Sequence, residues 1–87
     1  MKQIEILQKM SKGAILSEHL PYYNDPAFLH LYDEDNEDVD YDLRMSQLRS
    51  LLSKRFIRYF RSMNLWNNQY RITNTGLEYL KMKGFEV

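Results

Sequence analysis

The stretch of sequence that decides the predicted fold is Met63-Asn64-Leu65-Trp66-Asn67-Asn68-Gln69-Tyr70-Arg71-Ile72-Thr73-Asn74-Thr75-Gly76-Leu77-Glu78-Tyr79-Leu80. Near its middle, Asn67-Asn68 predicts a two-residue hairpin turn, because asparagine tolerates the positive φ angles that such turns require. Polar and apolar residues then alternate in Gln69-Tyr70-Arg71-Ile72, as they do in a strand with one packed face. The other face, with Gln69 and Arg71, is expected to meet solvent or a partner.

A helix is predicted directly after this strand. Either Thr73 or Thr75 can cap its first turn, since a threonine oxygen accepts a hydrogen bond from a backbone N–H at a helix start. Leu77 and Leu80 share one stripe of this helix, and Gly84 can end it. The stretch therefore predicts a hairpin followed by a capped, amphipathic helix.

Length and composition favour a binding module over an enzyme. The 87 residues are expected to form one domain, residues 1–87, too small for a deep catalytic cleft and its supporting residues. Cysteine is absent, which excludes disulfides, thiolate zinc sites and cysteine nucleophiles. No segment approaches the roughly 18 apolar residues of a membrane span, and the first residues lack the apolar core of a signal peptide. We expect a soluble, cytoplasmic protein with no catalytic residues, metal, cofactor or membrane contact.

The net charge of zero hides a strong segregation of charge along the chain. Residues 33–42 contain seven acidic residues and no basic one, whereas the segment from residue 43 onward contains nine basic residues and two acidic ones. This asymmetry predicts an electrostatic partner for the C-terminal half, and it equally allows the acidic segment to be that partner.

The N-terminal half is predicted to begin with a helix over residues 2–11, which Gly13 ends. Ala14-Ile15-Leu16 fits either a short strand or a further turn of helix. A second helix is predicted from Asn24-Asp25-Pro26 to about Tyr32, since aspartate caps helices and proline is favoured at the first helical position. Residues 33–42 are expected to form a loop because they are too charged to bury.

A third helix is predicted over residues 43–63. At about 100° per residue, most of its apolar residues fall in an arc of about 120°, and basic residues fall in a separate arc of similar width. The basic arc consists of Arg44, Lys54, Arg55, Arg58 and Arg61, together with Gln47. The pattern indicates one face that packs and one that is positively charged.

From about Ser46 to Lys81 the chain resembles the winged helix-turn-helix superfamily. In that family a recognition helix ends in Gly-Leu-Ile, a hairpin wing follows, and Leu-Thr-x-x-Gly opens a helix. This chain has Asn64-Leu65-Trp66 and Ile72-Thr73-Asn74-Thr75-Gly76 at those places. The resemblance implies a single-domain winged helix-turn-helix fold, mainly α with a small β-hairpin wing (α+β).

The resemblance also implies a small transcriptional regulator that binds double-stranded DNA with its third helix in the major groove. Such a domain is expected to act as a homodimer on two half-sites. The implied DNA-binding residues are Arg44, Gln47, Ser50, Lys54, Arg55, Arg58 and Arg61 on the third helix, with Gln69 and Arg71 on the wing.

Several features admit a second interpretation. The acidic segment at 33–42 fits a solvated loop, an autoinhibitory loop that folds over the basic face, or the binding site of a protein partner. In the last case the protein would be an interaction module without DNA binding.

His19 and His30 have no companion at ligand spacing, so structural or surface roles are expected rather than metal binding. Five aromatic residues fit either a core or a partner surface: Tyr22, Tyr23, Phe28, Tyr32 and Tyr41.

Overall fold

Five strands and three helices make up the structure, a computed structural model that describes residues 1–86. In chain order the elements are α1 (Gln3–Ser11), β1 (Ile15–His19), β2 (Phe28–Asp33), β3 (Asp38–Asp40), α2 (Met45–Ser53), β4 (Ile57–Asn64), β5 (Asn67–Ile72) and α3 (Asn74–Met82). The strands form one sheet in the order β3-β2-β1-β5-β4, and every neighbouring pair is antiparallel. Within residues 1–86, no helix has the length and apolar character needed to cross a membrane.

This sheet shows that the predicted fold, mainly α with a small hairpin wing, is wrong. The molecule is an α+β domain centred on a five-stranded antiparallel sheet. The predicted second helix at residues 24–32 is not formed, since its second half belongs to strand β2, where Leu29 and Leu31 are buried. Strict alternation of this kind is the pattern of a half-buried strand. Sheet pairing on both sides of β2 overrides the helix-start signal at Asp25-Pro26.

The predicted third helix at residues 43–63 is also wrong, because it is divided into α2 and β4. Arg55 follows α2 in a left-handed conformation, with a φ of 60°. The N–H groups of Arg55 and Phe56 donate to the carbonyls of Leu52 and Leu51, respectively. This is the Schellman arrangement that ends helices, and glycine usually occupies its left-handed position. An arginine there carries no stop signal, so the periodicity extends the predicted helix too far.

The last hairpin turn and the acidic segment also differ from their predicted structures. The last hairpin turns at Leu65-Trp66, whereas the predicted turn residues Asn67-Asn68 begin β5. The side chain of Asn64 fixes this turn by accepting a hydrogen bond from the N–H of Trp66 at 2.7 Å. The acidic segment at 33–42 is not a loop throughout, because residues 38–40 form the edge strand β3.

Both ends of the described chain confirm local predictions. The helix predicted at 2–11 is α1, and of the two alternatives for Ala14-Ile15-Leu16 the strand is correct. The hydroxyl of Thr73 caps α3 by accepting a hydrogen bond from the N–H of Gly76 at 3.1 Å. The helix ends just before Gly84, which has a φ of 89°.

All three helices cover the same face of the sheet. At the centre of that face, Leu16, Leu31 and Tyr70 lie side by side on β1, β2 and β5. Each buried aliphatic side chain contributes about 1.5–3 kcal/mol relative to the exposed state. The helices add Ile6, Leu7 and Met10 from α1, Leu48 and Leu51 from α2, and Leu80 from α3. The core therefore fixes one face of the sheet against the helices and leaves the opposite face uncovered.

Candidate functional site

We call the uncovered face of the sheet, opposite the helices, the open face. Strand alternation brings every second residue to this face. Its aromatic side chains are well exposed, with Phe28 at 45%, Phe60 at 39% and Tyr41 at 65%. The open face consists of Ile15, Ser17, His19, Phe28, His30, Tyr32, Val39, Arg58, Phe60, Arg61, Asn67, Gln69 and Arg71, with Tyr41 just beyond β3.

Acidic residues of the strands lie on the other side of the sheet. Asp38 and Asp40 both form salt bridges with Lys9 of α1, which belongs to the helix layer. The hydrogen bond with Asp40 raises the pKa of Lys9, so its ammonium stays charged. The strand residues with carboxylates are Glu18, Asp33, Asp38 and Asp40, and all four lie on the same face of the sheet as the core residues.

Basic residues of the strands lie on the open face. Arg58 of β4 and Arg71 of β5 are direct cross-strand partners, and Arg61 lies further along β4. Within residues 1–86 none of these three arginines forms a salt bridge. Alternation has thus divided charge between the two faces, and the open face carries three guanidinium groups without a strand carboxylate.

A β-bulge in β4 brings two consecutive side chains to the open face. Tyr59 pairs with Tyr70 and Arg61 pairs with Gln69, so Phe60 is the extra residue. The guanidinium carbon of Arg71 lies 4.2 Å from the centre of the Phe60 ring, and that of Arg61 lies 5.0 Å from it. Both distances fit cation–π contacts. The bulge therefore assembles two arginines around one exposed ring.

A chain of hydrogen bonds orients Arg61. Its Nε donates to Oε1 of Gln69 at 2.8 Å, and Nε2 of Gln69 donates to the hydroxyl of Ser17 at 3.4 Å. Ser17 is only 1% exposed, so this chain is anchored in the sheet. The guanidinium has five N–H donors and this contact uses one of them. The remaining donors are available for a planar, multidentate anion such as phosphate.

His19 and His30 form the centre of an aromatic cluster on β1 and β2. Nε2 of His19 and Nδ1 of His30 are 2.6 Å apart, so one nitrogen donates to the other. The Phe28 ring stacks on His19, with 4.2 Å between centroids and an angle of 5°. Burial lowers the pKa of both histidines, and the charge of His19 lowers that of His30 further. At neutral pH this cluster is therefore an uncharged aromatic surface.

The structure brings together only part of the predicted DNA-binding set. On the open face lie Arg58, Arg61, Gln69 and Arg71. On α2 or at its ends lie Arg44, Gln47, Ser50, Lys54 and Arg55. The amide of Gln47 accepts from the N–H of Arg44 at 2.9 Å and donates to the carbonyl of Met1, so it is already engaged. The predicted continuous basic arc is not formed, because its members belong to different elements.

The aromatic residues of the open face that matter most here, His19, Phe28, His30 and Phe60, are not among the predicted DNA-binding residues, although Phe28 is one of the five aromatic residues considered for a partner surface. The alternation of Phe28 and His30 with buried Leu29 and Leu31 was a usable signal, which the assignment of a helix there obscured. Phe60 gave no signal, because a bulge changes which residues share a face and periodicity does not reveal it.

The acidic segment does not cover the open face. Its strand residues Asp38 and Asp40 are held on the helix side by Lys9, and residues 34–37 form the turn between β2 and β3. The basic arc over which an autoinhibitory loop is expected to fold is itself divided between α2 and β4. For the chain up to residue 86, no group of three or more histidine, cysteine, aspartate or glutamate side chains is placed to hold a metal ion.

Comparison with known proteins yields no relative: no family model, curated protein or solved structure matches the chain. The function must therefore be argued from the chemistry of the open face.

Proposed function

We propose that this protein binds nucleic acid on the open face of its sheet and that it prefers single strands. The observation that carries the proposal is the division of charge: an exposed sheet face presents three arginines and several aromatic rings with no strand carboxylate. A polyanion with planar bases matches both halves of this surface, because phosphates pair with guanidinium groups and bases stack on rings.

The unpaired charges favour a polyanion. Arg58 and Arg71 lie directly opposite each other, and like charges at such positions destabilise a sheet. Phosphate groups placed between the guanidinium groups would turn this repulsion into charge-assisted hydrogen bonds. Binding of a polyanion would thus remove the electrostatic repulsion between the two arginines that destabilises the free protein.

The exposed rings favour single strands over duplexes. A base can stack on Phe28 or Phe60 only if it has left its own stack, which is the usual state of bases in single strands and loops. Stacking on a protein ring contributes about 1–3 kcal/mol per base. The sheet offers rings on β2 and β4, at opposite sides of the open face, so a strand crossing the sheet could use both.

Binding to double-stranded DNA, action as a transcriptional regulator and homodimer formation stay predictions from the sequence. The predicted major-groove arrangement requires one long third helix, whereas α2 ends at Ser53 and leaves Arg58 and Arg61 on a strand. Double-stranded DNA is therefore the second ligand in the binding test. The alternative of a protein partner at the acidic segment predicts that neither nucleic acid binds.

The test is fluorescence anisotropy with a labelled 15-nucleotide single strand of mixed sequence and with the corresponding duplex, across a salt series. We expect the single strand to bind more tightly and its affinity to fall steeply with salt, as counterion release requires. In the Arg58→Ala, Arg71→Ala double variant, the slope of log K against log salt should fall by about 0.7 for each lost phosphate contact.

The matched control is the Arg49→Ala, Lys54→Ala double variant, which removes the same charge from α2 and its end. Under the proposal it retains the affinity and salt slope of the wild type. If this control loses binding to the duplex while the open-face variant keeps it, the helix is the DNA surface and the proposal is wrong. Absence of binding to both nucleic acids at low salt would favour the protein-partner alternative.

A further inference from the structure

A cavity of about 330 Å³ lies at one end of the open face. His19 and Phe28 line it from the open face, Tyr22, Asp25 and Pro26 line it from the segment that joins β1 to β2, and Trp66 closes it from the hairpin turn. Its volume is at the lower end of the range for small-molecule sites. Because two of its walls are open-face residues, the cavity is continuous with the proposed nucleic-acid surface.

Backbone hydrogen bonds hold the walls of this cavity in place. Tyr22 and Asp25 exchange two bonds, at 3.2 and 2.9 Å, which close the tight turn between them. The N–H of Leu20 donates to the carbonyl of Trp66 at 2.8 Å and ties the two walls together. Tyr23 adopts a φ of 52° in this turn, a left-handed conformation that costs a non-glycine residue free energy. The cavity is therefore largely preformed.

The walls combine aromatic rings with one acidic group. Trp66 and Tyr22 are half-exposed, at 46% and 43%, and their rings meet edge to face with 4.7 Å between centroids. Asp25 is the acidic residue of the lining; it is exposed, and within residues 1–86 its carboxylate forms no hydrogen bond or salt bridge.

We propose that this cavity holds one base of the bound single strand and that Asp25 selects bases that carry an amino group. The inference rests on the proposed function. Carboxylate oxygens only accept hydrogen bonds. Cytosine, adenine and guanine present an exocyclic amino group with two N–H donors, whereas thymine and uracil present a single imide N–H between two carbonyl oxygens, which a carboxylate repels. The aromatic walls supply stacking for any base, and the carboxylate of Asp25 decides among them.

The test compares a labelled dC15 strand with a labelled dT15 strand at neutral pH and one fixed salt concentration. These two strands have the same length and phosphate charge, so a difference in affinity reports on the base. We expect the wild type to bind dC15 at least about fivefold more tightly than dT15, the lower end of the discrimination of a base contact. Asp25→Asn should reduce the ratio to less than about twofold, since an amide offers a donor as well as an acceptor.

Asp35→Asn is the matched control, because it removes the same charge from the turn between β2 and β3, away from the cavity. It should retain the wild-type preference. Trp66→Ala should weaken binding of both strands by about tenfold, and thermal unfolding monitored by circular dichroism verifies that each variant is folded.

The outcomes separate the two proposals. Equal binding of dC15 and dT15 by the wild type, or a preference that survives in Asp25→Asn, would overturn the cavity assignment and leave nucleic-acid binding intact. Absence of binding to both strands at low salt would overturn the proposed function and the cavity assignment with it.

Discussion

Arg58 on β4 lies directly opposite Arg71 on β5, and both side chains project from the open face. Two guanidinium groups at a cross-strand pair repel each other. The ring of Phe60 relieves part of this repulsion, because the Arg71 guanidinium carbon lies 4.2 Å from its centre. A sequence optimised only for the stability of the free domain would place an opposite charge at one of the two positions. The pair therefore indicates a surface arranged for an anion.

Replacement of Arg58 by glutamate should separate stability from binding. Arg58→Glu converts a repulsive pair into an attractive one, so the free energy of unfolding should rise by about 0.2–1 kcal/mol. The same change should weaken binding of single-stranded DNA, because it removes a cation and adds an anion at the proposed phosphate site. Urea unfolding and fluorescence anisotropy on the same preparation measure both effects.

The control for that variant is Arg49→Glu, an equal change of charge on the exposed side of α2. It should leave both quantities near their wild-type values. A loss of stability in Arg58→Glu would show that the cross-strand repulsion is not significant in this protein.

The left-handed Arg55 predicts a second stabilising substitution. Arg55→Gly places glycine at the position of the Schellman motif that glycine normally occupies, where φ is 60°. We expect a gain of about 0.5–1 kcal/mol, because the left-handed strain is removed and the greater freedom of glycine in the unfolded chain offsets only part of it. Lys54→Gly, one residue earlier in a right-handed conformation, should instead destabilise. Thermal melts of the two variants would show shifts of opposite sign.

Arg55→Gly also tests the predicted DNA contacts on the third helix. Arg55 lies between α2 and β4, outside the open face, so its loss should leave single-strand affinity nearly unchanged. A loss of single-strand affinity as large as that of Arg58→Glu would show that the end of α2 belongs to the binding surface.

The close contact at Gly76 predicts a destabilising substitution. A Cβ atom at this position would lie 2.4 Å from the carbonyl oxygen of Phe56 and 2.7 Å from a side-chain carbon of Ile72. The backbone of α3 or of the Phe56 segment would have to move, at a cost of about 1–3 kcal/mol. This cost outweighs the better helix propensity of alanine. We expect Gly76→Ala to lower the melting temperature, whereas Thr75→Ala, at an exposed neighbouring position, should change it little.

The histidine pair predicts a fall in stability at mildly acidic pH. Burial holds the pKa of His19 and His30 below the ordinary value of 6.5. As the pH falls below 6.5, the unfolded chain binds protons that the folded protein does not, so the free energy of unfolding decreases until the folded-state pKa values are reached. Asp33 and Asp42 have lowered pKa values and lose their contribution only below about 4. Urea unfolding between pH 7 and pH 5 therefore isolates the histidines, and the His19→Gln, His30→Gln variant should show a flatter profile.

The same titration should act on binding with the opposite sign. A phosphate beside the cluster stabilises the protonated imidazole, so affinity for single-stranded DNA should rise as the pH falls from 7.5 to 5.5. The histidine double variant should lose this pH dependence and keep its salt dependence, which the arginines supply.

How much of this structure the sequence predicts depends on which signals are local. The alternation of Tyr70 and Ile72 predicted β5 correctly, and the cap at Thr73 predicted the start of α3, because both depend on neighbouring residues. The end of α2 depends on a left-handed arginine, and the strand character of Phe28–Asp33 is fixed by partners on β1 and β3. These are tertiary effects that override local propensity.

In the candidate site, too, local signals were readable from the sequence and tertiary contacts were not. Alternation identifies Gln69 and Arg71 of the open face, whereas helical periodicity assigns Arg58 and Arg61 to a third helix that is not formed at these positions. The common location of these four residues depends on the pairing of β5 with β4. The His19–His30 contact joins two strands, and the sequence alone does not reveal their register.

The most direct test of the central claim is a two-dimensional ¹H–¹⁵N NMR titration of the protein with an unlabelled 15-nucleotide single strand of mixed sequence. Binding on the open face predicts that the largest shift changes occur at Ser17, His30, Phe60, Gln69 and Arg71, while α1 and the outer side of α2 change little. Shift changes concentrated at Arg49, Ser53 and Lys54, or no changes at all at low salt, would contradict the claim that the open face is the nucleic-acid surface.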